Sequence, residues 1–272
     1  MIEEKILCFD GRPVQLGVDE AGRGPVVGPM VYGCAFAPID NAEDVAALGF
    51  MDSKQLTEAR RDELFDLIKS SNLLGYIVHS LSAHELSTKM LRKAKYNLNS
   101  ISHDTCAGLI RRAQDAGVNV REVFIDTVGD PDKYRAKLQD IFPTIKVVVT
   151  KKADSLFPIV SAASICAKVT RDAQVNGIAS DTPIGSGYPG DARTVEWLDA
   201  NYHPVFGFSR QVRFSWSTVD EIIKRKNGVE FDWHEEGDEN QKAAMKNFLA
   251  AGKPRRRIFT SRNLKIVRPV SN

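Results

Sequence analysis

The stretch GVDEAGRGPVVGP, from Gly17 to Pro29, decides the fold prediction because it joins an acidic pair to a glycine-rich loop. The apolar run over residues 14–18 is typical of a buried strand, and the Asp19–Glu20 pair lies at its end. The glycines after the pair let the backbone approach a ligand closely and adopt positive φ. A lone Asp-Glu pair more often lies in an exposed turn. Packing, however, does not explain well why an acidic pair would lie between a buried strand and a glycine-rich loop.

Two further acids follow strand-like runs later in the chain. Asp126 comes directly after residues 120–125, and Asp154 lies just past residues 145–150. Acids at strand ends converge on one rim of a sheet, and like charges gathered there repel one another unless cations lie among them. Taken alone, Asp126 is readily a turn residue, and Asp154 is a loop residue neutralised by the two lysines before it or a helix cap. Together the four carboxylates predict a site for hard divalent cations.

The residue types at this rim suit phosphodiester hydrolysis. Carboxylates are natural ligands of Mg²⁺ and Mn²⁺, and two such ions about 4 Å apart can activate water, stabilise the leaving oxygen and neutralise the phosphate. The five histidines are scattered and the four cysteines lie far apart without CxxC spacing, so no zinc site is expected.

The composition is that of a globular protein with one large domain, or with a domain and an extension: 272 residues, 43% hydrophobic and 26% charged. No run of about 18 apolar residues is present, so we expect no membrane contact. The acidic start lacks the apolar core of a secretory signal, and the spaced cysteines favour a reducing, intracellular setting. From Lys253 onward there are seven basic residues and no acids, so the remainder of the chain is acidic overall.

The hydrophobic pattern predicts an α/β fold with a mixed sheet flanked by helices. Strands are predicted over residues 14–18, 31–36, 73–81, 120–125 and 145–150, and helices over 57–70, 95–116, 131–141 and 157–173. Strand–helix alternation in the second half predicts parallel pairing after an antiparallel opening. Residues 181–215 are predicted as a structured loop region. We expect a domain over residues 1–225 and a C-terminal extension over 226–272, with an acidic stretch, a short helix over 240–251 and a basic tail.

Several motifs resemble the type 2 ribonuclease H family, also called ribonuclease HII. They are GVDEAGRGP, DSK (Asp52–Lys54), KYNLNSISHDT (Lys95–Thr105), VFIDTVG, SAASICAKVTRD (Ser161–Asp172), GSGYP and VRFSW (Val212–Trp216). The segments SHDT, GSGYP and VFGF are most similar to the eukaryotic catalytic A subunits of that family. The resemblance implies a ribonuclease H-like fold and metal-dependent cleavage of RNA in RNA–DNA hybrids. It also implies incision 5′ to a single ribonucleotide in duplex DNA, leaving a 3′-hydroxyl and a 5′-phosphate.

The resemblance also implies roles for individual residues. Two ions, Mg²⁺ or Mn²⁺, would be held by Asp19, Glu20, Asp126 and Asp154. The ribose 2′-hydroxyl would be read, largely through backbone groups, by Gly22, Arg23 and Gly24. Tyr188 would contact the ribose and pack on the following deoxyribose. Phosphates of the nucleic-acid backbone would be contacted by Lys54, Asn97, Arg171 and Thr218. Considered singly, these last four are more often ordinary surface or capping residues.

Two other functions stay open on the sequence. One is a metal-dependent DNA nuclease of the same fold, and the other is a non-catalytic nucleic-acid-binding subunit, against which the intact carboxylate set argues. The resemblance implies RNA–DNA hybrids and ribonucleotide-containing duplex DNA as substrates, and B and C subunits as partners in a heterotrimer. The basic tail resembles a nuclear localisation or nucleic-acid-binding segment, so a nuclear protein is expected.

Overall fold

The computed structural model describes residues 1–50, 56–92, 94, 96–127, 129–178 and 183–228. The predictions for Lys54, for a helix over residues 240–251 and for the basic tail from Lys253 lie outside the described residues. Met1–Ile222 form one compact unit, and a second unit, Ile223–Asn272, is described only as far as Gly228. The predicted domain division at residues 225 and 226 stays a prediction.

The described residues contain a six-stranded mixed sheet in the order β1-β4-β3-β2-β5-β6. Its strands are β1 (Ile2–Lys5), β2 (Val14–Ala21), β3 (Met30–Pro38), β4 (Gly75–Leu81), β5 (Val120–Asp126) and β6 (Lys146–Thr150). Antiparallel pairs join β1 to β4, β4 to β3 and β3 to β2, whereas β2, β5 and β6 pair in parallel. The predicted mixed sheet, with an antiparallel opening and a parallel second half, is confirmed.

Helices cover both faces of this sheet. Their bounds are α1 (Ala42–Ala47), α2 (Glu58–Ser70), α3 (Ala83–Met90), α4 (Leu98–Asp115), α5 (Pro131–Ile141), α6 (Ala153–Leu156), α7 (Pro158–Asn176), α8 (Ala192–Ala200) and α9 (Ser217–Arg225). Successive side chains of a strand point to opposite faces. Leu16 and Val18 of β2 therefore join a core with α4 and α5, and Val31 and Ala35 of β3 join a core with α2 and α7.

Two glycines let α7 lie directly on the centre of the sheet. A Cβ built at Gly17 of β2 would lie 2.4 Å from the Ile159 carbonyl oxygen, and one at Gly33 of β3 would lie 2.1 Å from the Ala163 carbonyl oxygen. Backbone atoms cannot move aside as a flexible side chain can, so larger residues would push the helix away from the sheet. This close approach places Ser164 of α7 beside Asp19 of β2.

The prediction of a loop throughout residues 181–215 is wrong over α8. Asp191 caps this helix, since its side chain accepts a hydrogen bond from the backbone N–H of Arg193. Thr194, Trp197 and Leu198 form its buried face at helical spacing. The neighbouring glycines and prolines hide the short helical pattern. The strand β1 was also not predicted, because an edge strand of sequence IEEK has little apolar content.

None of the helices in the described part of the chain is both long enough and apolar enough to cross a membrane.

Candidate functional site

The predicted carboxylates lie along one edge of the sheet. Asp19 and Glu20 are the sixth and seventh residues of β2, so the strand extends past them instead of ending before them. Asp126 is the last residue of β5. Because β2, β5 and β6 are parallel, their carboxyl ends share this edge. Asp154 lies in α6, four residues after the end of β6, and a helical turn rather than the strand itself positions it.

Asp126 holds the short helix that carries Asp154. The Asp126 Oδ1 atom accepts a hydrogen bond of 3.0 Å from the backbone N–H of Ala153, the first residue of α6. The preceding residue, Lys152, has the left-handed conformation (φ 57°), which turns the chain from β6 into α6. The Ser161 hydroxyl of α7 donates to the Asp154 carbonyl. Asp154, only 2% exposed, is therefore fixed beside Asp126 by backbone contacts.

Asp19 faces α7. Its Oδ1 atom accepts a hydrogen bond of 2.8 Å from the Glu20 backbone N–H, and the buried Ser164 hydroxyl also bonds to its side chain. Burial raises the pKa of Asp19 to about 7, and the charges of Asp126 and Asp154 add to this rise while the bond from Ser164 opposes it. The charges of Asp126 and Asp154 thus act on Asp19, as expected of carboxylates that lie near one another.

Glu20 points to the opposite face of the sheet, as strand alternation requires. Burial raises the pKa of Glu20 to about 8, with further contributions from Asp19 and Asp126, and the guanidinium of Arg23 opposes the rise. The Arg23 side chain extends to α4, where it donates to Asn99 Oδ1 and, over 2.7 Å, to Ser102 Oγ. Arg23 thus anchors the glycine loop to α4 and lies near the charge of Glu20.

The donor chemistry of this edge fits hard divalent cations. All of its ligating atoms are carboxylate oxygens, and burial together with mutual repulsion raises the cost of charging Asp19 and Glu20 unless a cation is close. Within the described residues, no group of three or more His, Cys, Asp or Glu side chains already forms a cluster that could hold a metal ion. The edge thus provides the donor atoms that hard divalent cations prefer, on residues whose charges act on one another.

The raised pKa values predict how stability depends on pH in the absence of divalent ions. The ordinary pKa values of Asp19 and Glu20 are 3.8 and 4.5, so between about pH 4 and pH 8 the folded chain holds protons that the unfolded chain has lost. These two groups should therefore lower stability as pH rises through this window. We expect Asp19→Asn to melt above wild type at pH 8 in a chelator, with a smaller difference at pH 5. A Tm difference that is independent of pH would contradict this.

The glycine loop is held by residues that sequence reasoning missed. Arg213, which is fully buried, donates from Nε to the Gly28 carbonyl, from Nη1 to the Arg23 carbonyl, each over 2.9 Å, and from Nη2 to the Gly22 carbonyl. Trp216 donates from Nε1 to the Gly24 carbonyl over 3.0 Å. Arg213 and its loop partner Arg23 are 190 residues apart in sequence, so no local pattern could reveal the contact.

Tyr188 lies against the same loop. A Cβ built at Gly24 would lie 3.1 Å from Cε1 of Tyr188, whose side chain is nevertheless 45% exposed. The Gly187 carbonyl accepts a hydrogen bond of 2.7 Å from the Val26 backbone N–H, and this bond joins the two loops. The half-exposed ring of Tyr188 therefore lies beside the glycine loop, and its contact with the sugar stays a prediction.

Two of the four predicted phosphate-contacting residues, Asn97 and Arg171, have protein partners in this structure. Asn97 caps α4 and accepts a hydrogen bond of 2.9 Å from the Ser100 backbone N–H. Arg171 pairs with Asp172 at 3.0 Å and donates over 3.3 Å to the Ser186 carbonyl, so it braces the Tyr188 loop. Thr218 is a half-buried residue of α9. Lys54 lies outside the described residues. Phosphate contact by these four residues stays a prediction.

Comparisons with known proteins agree with the motifs. The sequence model of the ribonuclease HII family matches residues 16–219. The A subunit of ribonuclease H2 from Arabidopsis thaliana is 52% identical over 239 residues, covering 85% of this chain and 79% of that protein. The corresponding protein of Homo sapiens is 49% identical over 241 residues, with coverage of 86% and 80%. The crystal structure of ribonuclease H2 from Pyrococcus horikoshii superposes with a TM-score of 0.70 at 33% identity, over 79% of this chain and 100% of that one.

Proposed function

Because the chain belongs to the ribonuclease HII family and is a ribonuclease H, we propose that it cleaves the RNA strand of RNA–DNA hybrids and also cuts duplex DNA beside a single ribonucleotide. The cut would fall on the 5′ side of the ribonucleotide and leave a 3′-hydroxyl and a 5′-phosphate. The observation that carries the proposal is the position of Glu20, which is separated by Ala21 alone from a glycine loop that begins with a positive φ at Gly22. A proposed metal ligand and the loop proposed to recognise the sugar would thus lie within one short segment of the chain.

The carboxylate edge would hold the metal ions. Asp19, Glu20, Asp126 and Asp154 are the residues that would ligate them. Two divalent ions, Mg²⁺ or Mn²⁺, would when bound supply Lewis-acid stabilisation of the charge that builds up on the phosphate. Hydrogen bonds from Ser164 to Asp19 and from the Ala153 backbone N–H to Asp126 restrict the motion of these two carboxylates.

The glycine loop would read the sugar. The 2′-hydroxyl is the one group that distinguishes a ribose from a deoxyribose at a given position. Gly22 and Gly24 place no side chain between the loop and a ligand, and the Arg23 side chain is directed to α4. Contact with the sugar would therefore come from backbone groups of the loop, which supports the role that the family resemblance assigns to it.

Tyr188→Phe and Tyr188→Ala are expected to separate two functions of one side chain. The ring can pack on the deoxyribose that follows the ribonucleotide, whereas the hydroxyl can bond to the ribose. Losing a hydrogen bond to a neutral partner costs about 1–3 kcal/mol, so Phe should lower single-ribonucleotide cleavage roughly ten- to a hundredfold. Ala should lower it further. On a continuous hybrid, where the next sugar is a ribose, the difference between Ala and wild type should narrow.

The measurement for Tyr188 is the ratio of kcat/KM on single-ribonucleotide DNA to kcat/KM on a continuous hybrid, for all three proteins. Tyr202→Phe, a change at an aromatic residue that packs on Phe208, provides a matched control for loss of a hydroxyl. A ratio that stays constant across Tyr, Phe and Ala would make Tyr188 a packing residue and place recognition of the junction elsewhere.

The direct test of the proposed function is a substrate panel. The chain is incubated with duplex DNA containing one ribonucleotide, with a continuous hybrid and with an all-DNA duplex, each with Mg²⁺ and with a chelator. We expect cleavage of the first two in Mg²⁺ alone and none of the third. Cutting of all-DNA duplex would instead support a DNA nuclease, and binding without cleavage in any condition would support a non-catalytic role.

Partners and location extend the proposal. The similarity to proteins named as the A subunits of ribonuclease H2 supports assembly with other chains, and we propose B and C subunits as those partners. Seven basic residues from Lys253 onward support localisation to the nucleus. Cleavage by the purified chain, measured with and without the candidate subunits, tests the first of these proposals, and the distribution of a chain truncated at residue 252 tests the second.

A further inference from the structure

A buried arginine without a carboxylate partner lies behind the glycine loop. Arg213 is 0% exposed, and within the described residues it forms no ion pair. Its guanidinium donates to three backbone carbonyls and lies over the face of Trp216, whose ring centre is 4.8 Å from Cζ. Burying a charge without an ionic partner destabilises the folded state, and an apolar side chain would fill the same space at a lower cost in free energy. Packing alone therefore does not account for an arginine here.

The bonds from Arg213 determine which way the peptide groups of the loop face. In a trans peptide, the C=O of one residue and the N–H of the next point in opposite directions. The carbonyls of Gly22 and Arg23 point at the guanidinium, so the N–H groups of Arg23 and Gly24 point away from it. Neither N–H donates a hydrogen bond to another backbone group within the part of the chain that the structure describes. Two adjacent donors are thus directed outward beside the carboxylate edge.

Arg213 and Trp216 also hold two carbonyls whose peptide groups have no N–H. These are the carbonyls of Gly28 and Gly24, which precede Pro29 and Pro25. Fixing these two peptide groups stabilises the loop but orients no donor. Of the four carbonyls held by Arg213 and Trp216, only the pair at Gly22 and Arg23 therefore controls a group that can bind a ligand.

We propose that Arg213 is a positioning residue that directs the N–H groups of Arg23 and Gly24 toward the ribose 2′-hydroxyl of the substrate. The inference rests on the proposed function, because it assumes that the loop reads this hydroxyl. Arg213 acts through the loop and does not touch the substrate. Lysine cannot replace it, since a single ammonium lacks the planar fork that reaches the Gly22, Arg23 and Gly28 carbonyls together.

The test measures binding in a chain that cannot cleave. In an Asp154→Asn background, dissociation constants are measured for duplex DNA with one ribonucleotide and for the same duplex with deoxyribose throughout. With Arg213 intact, we expect roughly tenfold tighter binding of the ribonucleotide duplex, as hydrogen bonds of this kind confer. With Arg213→Lys or Arg213→Gln, the preference should disappear, while the affinity for the all-DNA duplex should change little because Arg213 is buried and does not touch the duplex.

Trp216→Phe is the matched control. It removes one hydrogen bond, to the Gly24 carbonyl, and keeps an aromatic ring near Arg213. Because that carbonyl belongs to a peptide group without an N–H, the variant should lose melting temperature while keeping most of the preference for ribose. Trp216→Phe also remains informative if the Arg213 variants fail to fold. Loss of the preference for ribose in Trp216→Phe would show that any contact that tightens the loop supports this preference, and the inference would then be wrong.

The two possible failures are distinguishable. If the chain with Arg213 intact binds both duplexes equally, recognition of the 2′-hydroxyl by this loop fails, and with it the proposed reading of the sugar. If that chain prefers the ribonucleotide and the folded Arg213 variants retain the same preference, the loop reads the sugar without help from Arg213. In that case Arg213 is a structural residue only.

Discussion

Asp154→Asn is expected to abolish cleavage while leaving the fold and duplex binding intact. The side chain is 2% exposed and its helix is held by backbone contacts, so an amide of the same shape should be tolerated. The change removes an anionic oxygen from the proposed metal site. Changing a residue that merely supports a metal ligand costs about 10- to 100-fold, so loss of a ligand should exceed a hundredfold.

Asp126→Asn should behave in the same way. Its Oδ1 atom can still accept the hydrogen bond from Ala153, so α6 should stay in place. The measurement is single-turnover cleavage of single-ribonucleotide DNA in Mg²⁺, with circular dichroism and duplex affinity as checks on fold and binding. Asp140→Asn, at an exposed residue of α5, serves as the control for a charge change alone. Cleavage at the wild-type rate by Asp126→Asn or Asp154→Asn would show that the carboxylate concerned is not part of the metal site.

Gly22→Ala should produce the second large effect. Gly22 has a φ of 74°, and a Cβ there would lie 2.7 Å from the Pro29 carbonyl oxygen, so the variant combines backbone strain with a contact that cannot relax. We expect loss of both cleavage and melting temperature. Gly11→Ala isolates the strain, because Gly11 has a φ of 75° and nothing within 4 Å of its Cβ position. Strain of this kind costs about 1–3 kcal/mol.

Gly24→Ser should act by a different route. Gly24 does not have a positive φ, so a side chain at this position causes no backbone strain of the kind expected at Gly22. Backbone strain is therefore not a reason to expect an effect of Gly24→Ser. Its Cβ would crowd Tyr188, whose half-exposed ring can turn away. We therefore expect lower activity with little change in melting temperature. In a Tyr188→Ala background, Gly24→Ser should cost much less, because the crowded ring is gone. Additive effects in the two backgrounds would show that Tyr188 does not mediate the loss.

The sequence predicted the sheet and its acidic edge because both follow from local patterns. Apolar β-branched runs mark β2, β5 and β6, and parallel pairing then places Asp19 and Asp126 at the same end. The position of Asp154 in a helical turn depends on the left-handed Lys152, which no propensity favours. Arg213 lies in the VRFSW motif, but its role could not be predicted, since it depends on contacts with residues 185 to 191 positions away in the chain.

The measurement that tests the central claim most directly is the binding of Mn²⁺, followed by electron paramagnetic resonance, without reference to activity. The claim is that Asp19, Glu20, Asp126 and Asp154 together form one site for divalent ions. The wild-type chain with an all-DNA duplex, which it is not expected to cut, should bind two Mn²⁺. Asp19→Asn, Asp126→Asn and Asp154→Asn should each lose at least one of them or bind both far more weakly, while Asp140→Asn binds as wild type does. Equal stoichiometry and affinity in wild type, Asp126→Asn and Asp154→Asn would contradict the account.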